Sequence, residues 1–399
     1  MRILLSAFSC DPFKGSEPSV GWGWVKILNS KEHEVIVLVS GNHSKKNIEL
    51  YLEKNSLENT VFKYVELPEF LFKNRRFYPQ IYYYIWQIKA YFFAKSISSL
   101  NKFDIVHHVT YVNIRHPSFL WSLGDKFIFG PVSGGDSAPS ELRKSASIKQ
   151  RVSYIVRDIS KYLTILDPFA RKCINKSDVV HVTTDSTLKL IPKNYKGEIK
   201  KTFAIAFESN ENKFGKELDL DNVKIMYAGM FQHLKGMHLG IKAFANVFNS
   251  NYSNISLSMV GDGEEFVNWN KMASNLSVQE NIYWKGWLDR DRLLKFYDSH
   301  HIFLFPSIQD SGGMVLLEAM SKGLVPIVLD LGGPGEICDQ TCAEIVDVSG
   351  LKEEDVIKNL EEKIVHLINN PDIYKEKSIK AIERASQFSW EDKYNCVYG

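Results

Sequence analysis

The chain has 399 residues, of which 44% are hydrophobic and 24% are charged, and this is ordinary globular composition. That length exceeds the size at which a single core stops growing, so we expect two domains. The formal net charge of +2 gives no general attraction for nucleic acid.

Five scattered cysteines favour a reduced, cytoplasmic chain over a disulfide framework. No stretch reaches the ~18 uncharged apolar residues that a membrane span needs. We interpret the N-terminus as a first strand and not as a signal peptide.

Short apolar runs alternate with helical segments along the whole chain, which predicts an α/β protein with mostly parallel sheets. A polar segment without periodicity, residues 208–222, separates two such series and is the predicted linker. We therefore expect one domain at 1–207 and a second at 223–385. The predicted strands are residues 3–8, 34–39, 61–66, 104–109, 127–132, 178–183 and 202–207 in the first series, and 224–228, 256–260, 282–285, 302–305 and 325–329 in the second.

The loop after the first predicted strand carries Gly15, Ser16 and Glu17, followed closely by Trp22 and Trp24 (CDPFKGSEPSVGWGW). The family resemblance given below makes this loop a candidate binding element. The alternative is a tight turn with the two tryptophans as packing. For the tryptophans both interpretations stay open.

His107 and His108 lie together near the end of the predicted strand 104–109. Alternation sends neighbouring strand residues to opposite faces, so one ring can face a crevice while the other lies in the core. A histidine in the crevice could orient a substrate hydroxyl, and a satisfied core histidine is the alternative for each. The next strand leads into a small polar loop that contains Ser133 and Gly134.

Two stretches of the first series, residues 70–93 and 143–172, interleave aromatic or aliphatic residues with Lys and Arg. This composition suits interfacial helices that contact anionic headgroups. It also suits buried helices whose cations reach solvent at the rim. The sequence leaves both interpretations open.

The second series contains a predicted strand, a turn with Gly312 and Gly313, and a predicted helix over 314–322. Strand, glycine turn and helix in that order form an anion site, because the first-turn N–H groups and the helix dipole point at the ligand. Asp310 precedes this helix by a few residues and Glu318 follows eight residues later. That interval is about 2.2 turns, so Asp310 must stand in the turn and not on the face of Glu318. A second glycine loop is predicted at 332–335.

The run P-S-x-x-D-S-G-G-M-V-L-L-E-A-M-x-x-G, with Asp310 and Glu318 as its two carboxylates, resembles the E-x7-E signature of retaining GT-B glycosyltransferases of family 4. Aspartate replaces the usual glutamate at 310, which keeps the charge and shortens the reach. The segment YAGMFQHLKG resembles the family's phosphate loop through Lys235 and Gly236. Its arginine position is occupied by Met230, so one bidentate phosphate donor is lost. Two consequences are open. Either His233 or a cation of the first half replaces the lost positive charge, or the protein binds its donor more weakly.

The resemblance implies a GT-B architecture, which consists of two Rossmann-like doubly wound domains facing each other across a crevice. It also implies a terminal segment, residues 386–399, that returns towards the N-terminal, acceptor-side domain. The implied reaction moves a sugar (hexosyl) group from a nucleoside-diphosphate sugar to an acceptor hydroxyl with retention of configuration. It needs no metal, no other cofactor and no protein nucleophile. The phrase around Gly15 resembles a bacterial subgroup of polysaccharide synthesis (lipopolysaccharide, capsule or exopolysaccharide). We therefore expect a glycan or lipid-linked acceptor and a cytoplasmic protein that can contact the inner face of the membrane.

By the same resemblance, Lys235 neutralises the diphosphate, Glu318 binds the ribose hydroxyls and Asp310 contacts the transferred sugar. These three are the predicted catalytic residues. The predicted donor-binding residues are Gly15, Ser16, Gly229, Gly236, Gly312, Gly313, Met314 and Val315, and the predicted acceptor-side residues are Glu17, His107, His108, Ser133 and Gly134.

Two other functions stay open for this sequence. A nucleotide-sugar epimerase of the same architecture would release nucleotide without an acceptor. A catalytically weakened relative that binds nucleotide sugar and scaffolds a partner is suggested by Met230 and Asp310. Neither a serine hydrolase motif nor a P-loop is present in the sequence.

Overall fold

The computed structural model describes residues 1–74, 79–98, 102–207, 214–250 and 252–399. The fold is α/β, and each of its two compact units is built on one parallel sheet. The predicted fold class of two Rossmann-like, doubly wound units is therefore confirmed. The first unit comprises Met1–Gly135, Asp158–Ala206 and Trp390–Gly399, and the second comprises Asp136–Arg157 and Phe207–Ser389.

The first unit contains a seven-stranded sheet with the strand order β3-β2-β1-β4-β5-β6-β7. The second contains a six-stranded sheet with the order β10-β9-β8-β11-β12-β13. The strands are β1 (Arg2–Ala7), β2 (Glu34–Ser40), β3 (Thr60–Val65), β4 (Phe103–Thr110), β5 (Gly124–Val132), β6 (Val179–Val182), β7 (Glu198–Lys201), β8 (Val223–Ala228), β9 (Ile255–Val260), β10 (Ile282–Gly286), β11 (Ile302–Phe305), β12 (Val325–Leu329) and β13 (Glu344–Val346).

Helices connect most of the successive parallel strands in both units, and the connection from β4 to β5 is a loop. The helices are α1 (Glu17–Ser30), α2 (Gly41–Leu52), α3 (Glu69–Asn74), α4 (Pro79–Ser98), α5 (Ile148–Leu166), α6 (Pro168–Lys176), α7 (Asp185–Leu188), α8 (Met237–Asn249), α9 (Phe266–Asn275), α10 (Arg290–Tyr297), α11 (Met314–Ser321), α12 (Gly332–Ile337), α13 (Glu353–Asn369), α14 (Pro371–Ser386) and α15 (Trp390–Tyr398).

The central strands are continuous apolar runs because helices cover both faces of a parallel sheet. In β1, Ile3, Leu4 and Leu5 are fully buried. Leu5 is in register with Val37 on one side and with His107 on the other. Burial on both faces therefore explains why these strands show no polar alternation.

Most predicted strands lie within one or two residues of the observed ones, and 302–305 and 325–329 coincide with β11 and β12. The predicted strand 202–207 is wrong, because the pairing segment is Glu198–Lys201 and residues 202–207 are irregular. The polar β7 lies at the sheet edge with its side chains largely exposed, so it lacks an apolar signal. The predicted glycine loop at 332–335 instead begins the short helix α12.

The largest difference between the observed division of the chain and the sequence-based boundaries is that Asp136–Arg157 packs with the second unit. Residues 208–213 of the expected linker lie outside the described residues. Residues 214–222 lack helix and strand, and Lys216 ties them to the second unit. Its Nζ donates to the carbonyl oxygens of Tyr297 and His300, both at 2.8 Å or less.

Of the first aromatic and basic stretch, residues 70–93, the part that includes Arg75 and Arg76 lies outside the described residues. The helix α4 buries Tyr83 and Trp86 completely, and both rings contact Phe8 edge-on. The aromatic residues of α4 therefore serve largely as core packing. No helix in the described ranges is long and apolar enough to cross a membrane.

Strand order determines where a ligand can bind in each sheet. Connections leave β1 and β4 in opposite directions in the first unit, and β8 and β11 do the same in the second. Open α/β sheets bind ligands at the carboxyl ends of the strands beside such a switch point. In the second unit, the loops at this point are those that follow β8 and β11.

Candidate active site at the switch point of the second sheet

The loop after β8 approaches the loop after β11 so closely that only glycine fits at one position. Gly236 has φ 68°, and a Cβ built on it would lie 1.8 Å from the carbonyl oxygen of Pro306. The amide N–H of Ile308 also donates to the carbonyl oxygen of Leu234 at 3.0 Å. The contact holds Lys235 beside the turn that precedes α11.

Lys235 and Asp310 form an ion pair in this turn, with 2.5 Å between Nζ and Oδ2. Their side chains are only 18% and 16% exposed. The other carboxylate oxygen of Asp310 accepts from the backbone N–H of Gly312 at 3.0 Å, and its carbonyl oxygen accepts from Gly333 at 2.8 Å. Asp310 therefore joins the lysine loop, the start of α11 and the start of α12.

The helix α11 begins at Met314, shortly after Asp310 of this ion pair. Gly313 occupies its N-cap position with φ 141°, and it has no side chain that could cap the first turn. The helix N-terminus thus faces the turn of Lys235 and Asp310 without a capping side chain. Met314 and Val315 form its first turn, so the helix begins where the sequence predicted, and a role of this turn in anion binding stays a prediction.

Glu318 lies on α11 after its first turn and is buried, with 3% of its surface exposed. Its Oε1 accepts from Nε of Arg290 at 3.0 Å, and Arg290 is itself half-exposed at the start of α10. Burial raises the pKa of Glu318, while the neighbouring guanidinium lowers it. Sequence reasoning missed Arg290, because it belongs to no motif and lies 28 residues before its partner.

Met230 occupies the position of the missing arginine, and His233 is the residue suggested to replace its charge. The two differ in exposure. Met230 is half-exposed at the end of β8, where its carbonyl oxygen accepts from the Tyr227 hydroxyl at 2.9 Å. His233 is buried, and its ring nitrogens lie 3.1 Å from the hydroxyl oxygens of Ser145 and Tyr154. Burial also lowers the pKa of His233, which favours the neutral ring. His233 therefore does not supply the missing cation.

Arg157 is a cation of the first half of the sequence that packs in the second unit. Its Nη1 donates to Oε1 of Gln309 at 3.0 Å, one residue before Asp310. The amide nitrogen of Gln309 in turn donates to the carbonyl oxygen of Asp136 at 2.6 Å. The segment 136–157 thereby brings a guanidinium to the turn that carries the catalytic candidate.

Predicted residues of the first unit meet at the corresponding edge of its own sheet. The Oε1 atom of Glu17 accepts from the backbone N–H of Val112 at 2.6 Å, and the Ser133 hydroxyl donates to the Val112 carbonyl oxygen at 2.8 Å. The loops after β1, β4 and β5 are joined in this way. Burial raises the pKa of Glu17.

The three small residues of these loops also lie at the sheet edge. Gly15 is exposed, and Ser16 adopts φ 58° at the start of α1. Gly134 has φ 110°, and a Cβ there would lie 2.9 Å from the side-chain oxygen of Asn113. Gly229, in the second unit, directly follows β8 and has φ 152°.

His107 and His108 are fully buried, so neither ring can contact an acceptor from solvent. The Nε2 atom of His107 lies 2.8 Å from the carbonyl oxygen of Gly130, and its Nδ1 lies 2.9 Å from the Tyr398 hydroxyl. The core interpretation is the correct one for both, and we do not retain them as acceptor contacts. Trp24 is equally buried and packs against His107.

Comparison with known proteins finds a family model that matches the part of the chain containing this site. Residues 208–387 match the family model described as "Glycosyl transferases group 1". An uncharacterized glycosyltransferase from Haemophilus influenzae is 30% identical over 172 residues, which cover 43% of this chain and 46% of that protein. The O-antigen biosynthesis glycosyltransferase WbnH from Escherichia coli is 29% identical over 160 residues, which cover 40% of this chain and 41% of WbnH. The chain thus spans less than half the length of these two relatives.

Solved structures cover the whole chain at low sequence identity. The lipopolysaccharide outer core galactosyltransferase WaaB aligns over 100% of this chain and 99% of its own, with a TM-score of 0.66 and 14% identity. Anabaena HepE in complex with UDP and glucose aligns over 97% and 95%, with a TM-score of 0.57 and 12% identity. At such identities the likeness shows the fold, which is that of GT-B glycosyltransferases. Residues 208–387 are accordingly similar to a group 1 glycosyltransferase domain, and the chain has GT-B glycosyltransferases as structural neighbours.

Proposed function

We propose that the protein transfers a sugar from a nucleoside-diphosphate sugar to an acceptor hydroxyl, with retention of configuration. The observation that carries the proposal is the pair of Lys235 and Asp310 at the N-terminus of α11, beside the switch point of the second sheet. A cation and a helix N-terminus at one point suit a diphosphate. The group 1 match over 208–387 covers these same residues.

The difficult step of this reaction is the departure of a diphosphate on which negative charge grows. Lys235 and the first-turn amides of α11 are held in place before the reaction, so they stabilise that charge without reorganisation. In this proposal the chain's own positive groups perform this role without a metal ion. Unchanged turnover in the presence of a chelator would support that point.

The two carboxylates have separate roles. Glu318 accepts hydrogen bonds from the donor ribose, and Arg290 holds its side chain in position. Asp310 contacts the transferred sugar and supports the positive charge that spreads over the anomeric carbon. The acceptor hydroxyl attacks from the face that the diphosphate leaves, and the leaving phosphate oxygen takes its proton. No covalent enzyme intermediate is involved.

The acceptor side of the proposal uses Glu17, Ser133 and Gly134, which lie together at the carboxyl edge of the first sheet. The relative WbnH is described as an O-antigen biosynthesis enzyme, and WaaB as a lipopolysaccharide outer core enzyme. These descriptions support an acceptor glycan of the bacterial surface. HepE with UDP and glucose supports a uridine nucleotide as the first donor to test.

Nucleotide release with and without acceptor separates the three candidate functions. Purified protein is incubated with UDP- and GDP-sugars, alone and with a bacterial glycolipid extract, and free nucleoside diphosphate is measured. Release that depends on the extract, together with a product of retained anomeric configuration, supports the proposal. Release without acceptor supports an epimerase, and the absence of turnover despite donor binding supports a scaffold.

Replacing Glu318 by glutamine should weaken donor binding about tenfold, with a smaller change in kcat. The amide loses the charge that Arg290 pairs with and is a weaker acceptor for ribose hydroxyls. Glu344→Gln is the matched control, because Glu344 is equally buried in the same unit and pairs with Lys363 at 3.0 Å. That control should lose stability and keep donor affinity. An effect of Glu318→Gln confined to acceptor affinity would contradict the ribose role.

Replacing Asp310 by glutamate should leave turnover within about threefold of the wild-type rate, because the charge that pairs with Lys235 remains. The longer side chain loses the hydrogen bond that Asp310 accepts from the backbone N–H of Gly312, so we expect a stability loss of about 1 kcal/mol. Asp310→Asn is the matched control and should lower kcat at least about tenfold. Abolished activity in the glutamate variant would show that Asp310 is not in the family's carboxylate position.

A further inference from the structure

The helix α5 turns its apolar face away from the protein. At 100° per residue its exposed large apolar side chains fall within an arc of about 120°. They range in exposure from 53% for Val152 to 82% for Ile148. We call this set the α5 stripe, and it consists of Ile148, Val152, Ile155, Val156, Ile159, Tyr162, Leu163 and Leu166.

The opposite face of α5 is polar and lies against the protein. The hydroxyl of Tyr154 lies 3.1 Å from His233, and Arg157 donates to Gln309. Thr164 is buried and donates to the carbonyl oxygen of Ser160 at 3.1 Å. A surface helix ordinarily buries its apolar face, so this arrangement is reversed. The α5 stripe therefore contributes little to the core and forms a contiguous exposed patch of the kind that marks an interaction surface.

The next helix, α6, continues this surface with positive charge. Phe169 is 55% exposed beside the end of α5. A shallow cavity of about 450 Å³ lies at the junction and is lined by Leu166, Pro168, Arg171, Lys172, Asn175 and Lys176. Between residues 148 and 176 the sequence has seven Lys or Arg against two Asp, a net charge of +5. Apolar and basic groups thus lie side by side on one exposed surface.

We propose that the α5 stripe and the basic face of α6 dock on an anionic lipid bilayer. The helix α5 lies in the plane of the interface with its stripe at the boundary of the acyl chains. Arg171, Lys172 and Lys176 contact the headgroup phosphates. An exposed apolar stripe with Lys and Arg beside it is the composition of such interfacial helices.

Charge favours a lipid surface over a second copy of this chain. A symmetric dimer places the same patch on both partners, so two segments of net charge +5 would face each other. An anionic bilayer offers apolar depth and opposite charge together. The proposal extends beyond sugar transfer and does not rest on it, because vesicle binding requires neither donor nor acceptor.

Co-sedimentation with vesicles tests the proposal on the full-length protein. Wild-type protein should sediment with vesicles of phosphatidylglycerol and phosphatidylcholine in equal parts, and at least about tenfold less with phosphatidylcholine alone. Raising the salt concentration should weaken the binding, since the charges are exposed. Failure to bind the anionic vesicles at low salt would overturn the proposal.

Two pairs of variants locate the binding surface. Ile159→Glu with Leu163→Glu should reduce binding at least about tenfold. Its control is Val267→Glu, because Val267 is 71% exposed on α9. Arg171→Gln with Lys176→Gln should also reduce binding about tenfold, whereas the exposed pair Lys193→Gln with Lys196→Gln should reduce it much less.

The substituted side chains are exposed, so the variants should keep the wild-type melting temperature. Wild-type vesicle binding by Ile159→Glu with Leu163→Glu would remove the stripe from the interface. Light scattering of the same proteins without lipid tests the dimer. A dimer that this double variant dissociates, without vesicle binding by the wild type, would assign the surface to a second copy.

Discussion

Replacing Lys235 by alanine should lower the rate of sugar transfer about 100-fold. The substitution removes a positioned cation from the place where negative charge grows on the leaving diphosphate, and such groups typically contribute ~3 kcal/mol to the barrier. It also leaves the carboxylate of Asp310 without its partner, 2.5 Å away in the native protein. An unpaired, largely buried carboxylate repels the diphosphate, so donor affinity should fall as well. Steady-state kinetics with varied donor would separate the two effects.

Lys322→Ala is the matched control for this variant. Lys322 belongs to the same unit, is 23% exposed and pairs with Asp298 at 3.0 Å. It lies at the far end of α11 from the proposed diphosphate site. Its removal should change stability slightly and leave the kinetics unchanged. Near-wild-type kinetics in Lys235→Ala would remove this lysine from the mechanism.

Mild acid should destabilise the protein strongly, because several histidines are buried in the neutral form. Burial lowers the pKa of His108 to about 3 and that of His181 to about 3. A histidine with a lowered folded-state pKa binds more protons when unfolded, so stability is lost as pH falls below the unfolded value of about 6.5. Each of these two should account for about 2 kcal/mol between neutral pH and pH 5.

Other groups modify this dependence. Burial also lowers the pKa of His116 and of His300 to about 4, which adds to the loss in acid. Burial raises the pKa of Glu17 and of Glu318, and a carboxylate with a raised pKa stabilises the fold as pH falls. These two carboxylates offset part of the histidine effect. The net expectation is a steep fall in the free energy of unfolding from pH 7 to pH 5.

Denaturant unfolding at a series of pH values measures this dependence. His108→Leu should flatten the curve, since one buried titrating group is removed. Ile128→Val, a fully buried residue on the neighbouring β5, should lower the curve equally at every pH. A free energy of unfolding that stays constant from pH 7 to pH 5 would contradict the buried neutral histidines.

Sequence patterns predicted the strands where burial on both faces leaves a continuous apolar run. They failed at β7, whose residues Glu198–Lys201 are mostly polar and exposed at the sheet edge, and at the three-residue β13. They also placed a strand in 202–207, where Ala204, Ile205 and Ala206 are buried without pairing in the sheet. An apolar run reports burial, and only tertiary context decides whether its backbone pairs.

The site shows the same limit. Lys235, Asp310 and Glu318 stand in local motifs, so the sequence could identify them as candidates. Arg290 and Arg157 could not be found in this way, because their places beside Glu318 and Gln309 depend on how distant elements pack. Residue type alone also could not show that His107 and His108 are not acceptor contacts. Their burial follows from the sheet that surrounds them.

The spacing of apolar residues in α5 likewise reveals that the helix has an apolar face. It does not show whether that face points to the core or to solvent. Amphipathic sequence normally indicates a face packed on the core. Here Ile159 and Leu163 are more than half exposed, while Thr164 and Tyr154 face inward. The direction of the face was therefore unpredictable from sequence.

Calorimetric titration with UDP- and GDP-sugars and with the free nucleoside diphosphates tests the central claim most directly. The account predicts that one donor binds at micromolar level to the wild-type protein and to Lys322→Ala, and at least about tenfold more weakly to Lys235→Ala. Equal affinity in Lys235→Ala, or no binding by any donor to the folded wild-type protein, would contradict a nucleotide-sugar site at the N-terminus of α11.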